Sequence, residues 1–156
     1  MPADGDPTVP DTIVLIHGFW VTPRSWEDWK AHYERQGYRV LTPAYPGFDV
    51  EVEALNTDPT PIENLTVQGV IGHLTDVIVG LKRPPILMGH SAGGVFTQLM
   101  LDRGYGAVGV AINSAPTEGV PVVPLSQLKS TFPVLRTVGR RKAARVHPRA
   151  VALRLL

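Results

Sequence analysis

The 156-residue chain contains no cysteine. That excludes a disulfide scaffold, a thiol nucleophile and any cysteine-ligated metal. No apolar run approaches the ~18 residues that would read as a membrane span. The first residues, Met1-Pro-Ala-Asp-Gly-Asp-Pro, are acidic and polar and do not read as a signal peptide. These absences lead to the expectation of a cytoplasmic globular protein without membrane association. The most informative absence is local. Residues 129–156 hold 8 Lys and Arg and no acid, whereas residues 1–128 hold all 14 acids and 7 Lys and Arg. The formal net charge of +1 therefore conceals an acidic body and a basic tail.

The body alternates strand and helix signals. Asp11 to His17 is a near-continuous β-branched apolar run, the pattern of a strand buried on both faces in a parallel sheet. Gly18 ends it. Thr22-Pro23 marks a helix start, and Trp26, Trp29 and Tyr33 follow at helical spacing, expected to face the core. Gly37 stops that helix, and Tyr38 to Thr42 reads as a second strand. Residues 43–65 are proline-rich and aperiodic, and read as a long loop. Thr66 to Leu81 carries a helical apolar stripe, Ile86-Leu-Met88 begins a third strand, Ala92 to Arg103 is helical, and Ala107 to Ile112 is a fourth strand. The β-α-β-α-β-α-β order predicts an α/β fold with a mainly parallel sheet and flanking helices.

Gly89-His90-Ser91-Ala92-Gly93 is G-x-S-x-G, placed directly after a strand and before a helix. That position presents a serine Oγ above the sheet on a strained turn, and the flanking glycines avoid clashes across it. Ser91 is thus the candidate nucleophile. Acyl transfer also needs two backbone N–H donors for the developing oxyanion. The residue after the nucleophile, Ala92, supplies one. The loop after His17-Gly18 supplies the other, assigned to Phe19, with Gly18 allowing close approach. His17 and His90 are read as structural histidines that support the motif. Phe19 and Trp20 are candidate pocket walls.

His17-Gly18-Phe19-Trp20 and Gly89-His90-Ser91-Ala92-Gly93-Gly94, in this strand–helix order, resemble the N-terminal half of the α/β-hydrolase family, in its serine esterase and lipase branch. The resemblance implies a partial α/β-hydrolase domain over residues 11–135, preceded by an N-terminal extension over 1–10. It implies that Ser91 attacks a carbonyl to form an acyl-enzyme, and that no cofactor or metal is needed. In chain order the family places an acid and then a histidine after the serine. Only Asp102, Glu118 and His147 qualify. Asp102 lies too far along the same helix, which leaves Glu118 and His147 as weak candidates. The chain is therefore expected to be truncated after the nucleophile half. Residues 136–156 are expected to be disordered or non-native sequence.

The resulting expectation is a carboxylesterase acting on small-molecule esters through Ser91. The alternatives are a catalytically inactive fragment and an anion-binding protein working through the basic tail. That tail has no interleaved aromatics, so no specific nucleic acid is expected as partner. Gly104-Tyr-Gly106-Ala-Val-Gly109 matches G-x-G-x-x-G but enters a strand rather than a helix, so it does not read as a dinucleotide site. A sheet ending at its fourth strand would expose an apolar edge and favour self-association.

Overall fold

β1, Thr12–Ile16, is buried along its whole length and lies inside the sheet. Its alternate side chains enter two different cores, which is why the sequence shows a continuous apolar run rather than an alternating one. The computed structural model describes residues 9–116 and the separate positions Leu125, Ser126, Lys129 and Phe132. A single 3₁₀ turn, Pro23–Trp26, leads into α1, Glu27–Arg35. β2 is Arg39–Leu41. α2, Val52–Thr57, and α3, Thr60–Asn64, follow. α4 is Val67–Val79, β3 is Ile86–His90, α5 is Ala92–Asp102 and β4 is Val108–Ile112.

The four strands form one parallel sheet in the order β2-β1-β3-β4. Val14, Ile16 and Leu87 pack on one face against Val70, Ile71 and Leu74 of α4 and Phe96 and Met100 of α5. Ile13, Leu15 and Met88 pack on the other face with Val40 and Trp26. Each fully buried aliphatic side chain contributes about 1.5–3 kcal/mol relative to exposure.

Two expectations need correction. The segment 43–65 is not one long loop, since α2 and α3 lie within it. Helices of six and five residues are too short to display a period in the sequence. The aromatic stripe of α1 does not face the core as a unit. Trp26 is buried, Tyr33 is half-buried and Trp29 is exposed. The 3₁₀ turn ends at Trp26, so the three residues do not share one α-helical period. The Thr22-Pro23 signal opens the 3₁₀ turn, and the Thr22 side chain makes no capping hydrogen bond. At α4 the signal acts as read: the Thr66 hydroxyl accepts from the Gly69 amide at 3.0 Å and caps the helix.

Candidate active site

The link between β3 and α5 is a single residue, Ser91, with φ 56° and ψ −118°. A side-chain-bearing residue adopts that region only when its surroundings impose it. Here the surroundings are hydrogen bonds. The Ser91 amide donates to the Ile112 carbonyl at 3.1 Å, and the Ser91 carbonyl accepts from the amides of Gly94 (3.0 Å) and Ala115 (3.1 Å). The end of β4 thus grips the turn from one side.

Glycine is required on both sides of Ser91. A Cβ on Gly89 would stand 2.0 Å from the Gly93 carbonyl oxygen. One on Gly93 would stand 2.1 Å from the Ile16 carbonyl oxygen. α5 consequently starts against the end of β1, and its first turn is buried. The Ser91 side chain makes no capping hydrogen bond to its own helix, which leaves the hydroxyl available for other partners.

β1 and β3 pair with Ile16 opposite Gly89, so both strands end at the same level. The chain after β1 runs beside Ser91: a Cβ on Gly18 would lie 3.4 Å from Ser91 Cβ. Phe19 and Trp20 follow in a turn and are 42% and 47% exposed, so both present aromatic surface to solvent near the serine. The Phe19 ring stands edge-on to Tyr45 and Phe96. Neither the Phe19 N–H nor the Ala92 N–H has an acceptor among the described residues. The first amides of a helix have no intrahelical partner, and they carry the positive end of its dipole. Ala92 is such a position.

His17 is fully buried. Its Nδ1 lies 2.7 Å from the Gly18 carbonyl oxygen, and its Nε2 accepts from the Tyr45 amide at 3.3 Å. Burial pushes its pKa below the usual histidine value, so the ring is neutral. With both nitrogens engaged in loop backbone, His17 has none to offer Ser91. His90 is half-buried next to the same loop: a Cβ on Gly18 would be 3.7 Å from its Nδ1.

Asp102 is the exposed last residue of α5. His32 is exposed on α1 and pairs with Gln36. His73 lines a groove of about 500 Å³ between the turn after β2 and α4, and Ser91 does not border that groove. Glu118, His147 and the basic tail 136–156 lie outside the described residues. Among the described residues no group of three His, Cys, Asp or Glu could hold a metal. No described helix is long and apolar enough to cross a membrane. The G-x-G-x-x-G string packs rather than binds. Gly104 closes α5 at φ 77°, and Cβ atoms on Gly106 and Gly109 would press on Leu87 and Leu101.

A one-residue elbow thus joins a parallel strand to a helix, with the loop after the neighbouring strand beside it. The sequence pattern of the alpha/beta hydrolase family matches residues 13–155. The chain belongs to the alpha/beta hydrolase family. An extracellular alpha/beta-hydrolase from a Paenibacillus species, described as sharing structural and functional homology with Tobacco Salicylic Acid Binding Protein 2, is 28% identical. It superposes with a TM-score of 0.63 over 83% of this chain and 53% of its own. The monoacylglycerol lipase of Paleococcus ferrophilus is 18% identical, with a TM-score of 0.55 over 82% of this chain and 48% of its own. The thioesterase domain of the curacin biosynthetic pathway is 19% identical, with a TM-score of 0.56 over 88% of this chain and 48% of its own. The last two likenesses show the fold. The chain spans about half the length of these structures. Comparison with curated proteins gives no match.

One residue of the site went unread in the sequence. Tyr45 makes two hydrogen bonds to His17 and packs its ring on the imidazole, yet it belongs to no motif. Its only signal is its place in the Pro43-Ala-Tyr-Pro-Gly47 turn after β2.

Proposed function

We propose that this alpha/beta hydrolase cleaves small carboxylic esters, with Ser91 as nucleophile and the N–H groups of Phe19 and Ala92 as oxyanion donors. The observation that carries the reading is the backbone of Ser91, held at φ 56° and ψ −118° between β3 and α5. A strained serine at a strand–helix junction is the arrangement that exposes Oγ above a sheet. Ser91 Oγ attacks the ester carbonyl carbon while its proton passes to an imidazole base. The carbonyl π pair moves onto oxygen, facing the two amides. Collapse expels the alcohol, which takes the proton back from the imidazolium, and water then releases the acid by the same steps. Fixed N–H donors stabilise that oxyanion without reorganising, and losing one such donor costs about 2.7–4 kcal/mol in other hydrolases.

The acid and base assigned by chain order are Glu118 and His147. A second reading is an inactive chain. It is favoured by the sequence after Ser91, which offers a single histidine, His147, within the acid-free basic tail. Labelling with a fluorophosphonate probe, together with p-nitrophenyl acetate turnover, separates the two. The hydrolase reading expects a Ser91-specific adduct and steady turnover, both lost in Ser91→Ala. Turnover that survives Ser91→Ala sinks the nucleophile assignment. An unlabelled chain without turnover establishes the second reading.

A further inference from the structure

We propose that Tyr45 is a positioning residue for the loop after β1: its hydroxyl and its amide hold the two peptide units on either side of Gly18, and so aim the Phe19 N–H. The inference rests on the reading of Ser91 and Phe19 given above, and it adds a residue to that site.

The reasoning starts from peptide planarity. A peptide unit is rigid, so fixing the direction of its carbonyl fixes the opposite direction of its N–H. The His17–Gly18 unit is fixed by its carbonyl, which accepts from the Tyr45 hydroxyl. The Gly18–Phe19 unit carries the Phe19 N–H, and its carbonyl accepts from His17 Nδ1 at 2.7 Å. That second bond exists only if Nδ1 carries the proton. A neutral imidazole has one donor and one acceptor nitrogen. The Tyr45 amide donates to Nε2 at 3.3 Å, which requires Nε2 to be bare and places the proton on Nδ1. Tyr45 therefore fixes one unit directly and the other through the tautomer of His17.

The loop needs such restraint. Gly18 lacks a Cβ and can occupy many backbone conformations. A Cβ there would meet Ser91 Cβ at 3.4 Å, an ordinary contact, so crowding by Ser91 does not by itself fix the loop. The clamp is itself well anchored. Tyr45 is 1% exposed, and its ring packs against Phe48 and Phe96 and stands 4.0 Å from the His17 ring. Burial raises the phenol pKa, so the hydroxyl remains a donor.

Tyr45→Phe keeps the ring and the amide and removes only the hydroxyl. In ¹⁵N-labelled protein at neutral pH, the wild type is expected to show His17 protonated at Nδ1 and bare at Nε2. Tyr45→Phe is expected to shift and broaden the Gly18 and Phe19 amide signals while circular dichroism stays native. Fluorophosphonate labelling of Ser91 and kcat for p-nitrophenyl acetate should fall at least about ten-fold, with KM little changed, as expected when only oxyanion stabilisation is lost. Unchanged Gly18 and Phe19 signals in the variant overturn the clamp. So does a wild-type His17 protonated at Nε2, a measurement that stands even if the variant does not fold. If wild-type Ser91 takes no label, the nucleophile reading fails, and the amide signals still decide whether Tyr45 holds the loop.

Discussion

Gly89 and Gly93 face each other across the turn that carries Ser91, so closely that a Cβ on Gly89 would stand 2.0 Å from the Gly93 carbonyl oxygen. The atom in the way is backbone and cannot rotate aside. Gly89→Ala is therefore expected to destabilise the chain by about 3 kcal/mol or more, at the upper end of overpacking costs. Gly72 is the control. It lies within α4, where a Cβ meets nothing within 4 Å. Gly72→Ala should stabilise by about 0.5–1 kcal/mol, through helix propensity and a less flexible unfolded chain. Urea titrations of the two variants check both signs.

The strain at Ser91 predicts a trade between stability and chemistry. A non-glycine residue at φ 56° and ψ −118° is held there against its preference. Ser91→Gly should be more stable than Ser91→Ala by about 1 kcal/mol, although both lose the hydroxyl. Equal melting temperatures for the two variants would show that the turn is unstrained.

The buried His17 predicts a pH dependence. Its folded pKa lies below the ordinary value of 6.5 because burial disfavours the charged ring. Between that depressed value and 6.5 the unfolded chain binds more protons than the folded one. Stability from this group is thus fully present above 6.5 and is lost as pH falls through that window. One proton gives a slope of at most about 1.4 kcal/mol per pH unit. Urea midpoints measured from neutral pH downward should show this loss, and His17→Asn should flatten it.

The outer edge of β4 predicts self-association. Among the described residues β4 pairs only with β3, and its Val108 and Val110 are 51% and 43% exposed. An unpaired apolar edge strand recruits further strands, and a second copy of the chain is the partner always present. Sedimentation velocity should show concentration-dependent species, reduced in Val110→Lys. A monomer at all concentrations would count against the edge as a contact.

Much of the framework was legible because its signals are carried by neighbours in the chain. The β-branched run at Thr12–Ile16, the Thr66 cap and the glycines around Ser91 each act through backbone sterics or hydrogen bonds only a few residues long. The short helices α2 and α3 escaped because so few residues define no period. Trp29 was misplaced because a 3₁₀ turn shifts the phase of the helix that follows.

By itself the sequence determined the α/β alternation and the glycine-flanked elbow at Ser91, since each is a local demand on the backbone. Only the tertiary structure decided the strand order and the partners of the loop after β1. Tyr45 lies 28 residues from His17, and nothing in the spacing joins them. They meet because β1 and β2 are paired neighbours, which brings the turn after β2 over the end of β1. The basic tail that first divided this chain by charge remains a property of sequence. The acidic body is where packing turned a serine and a glycine loop into one site.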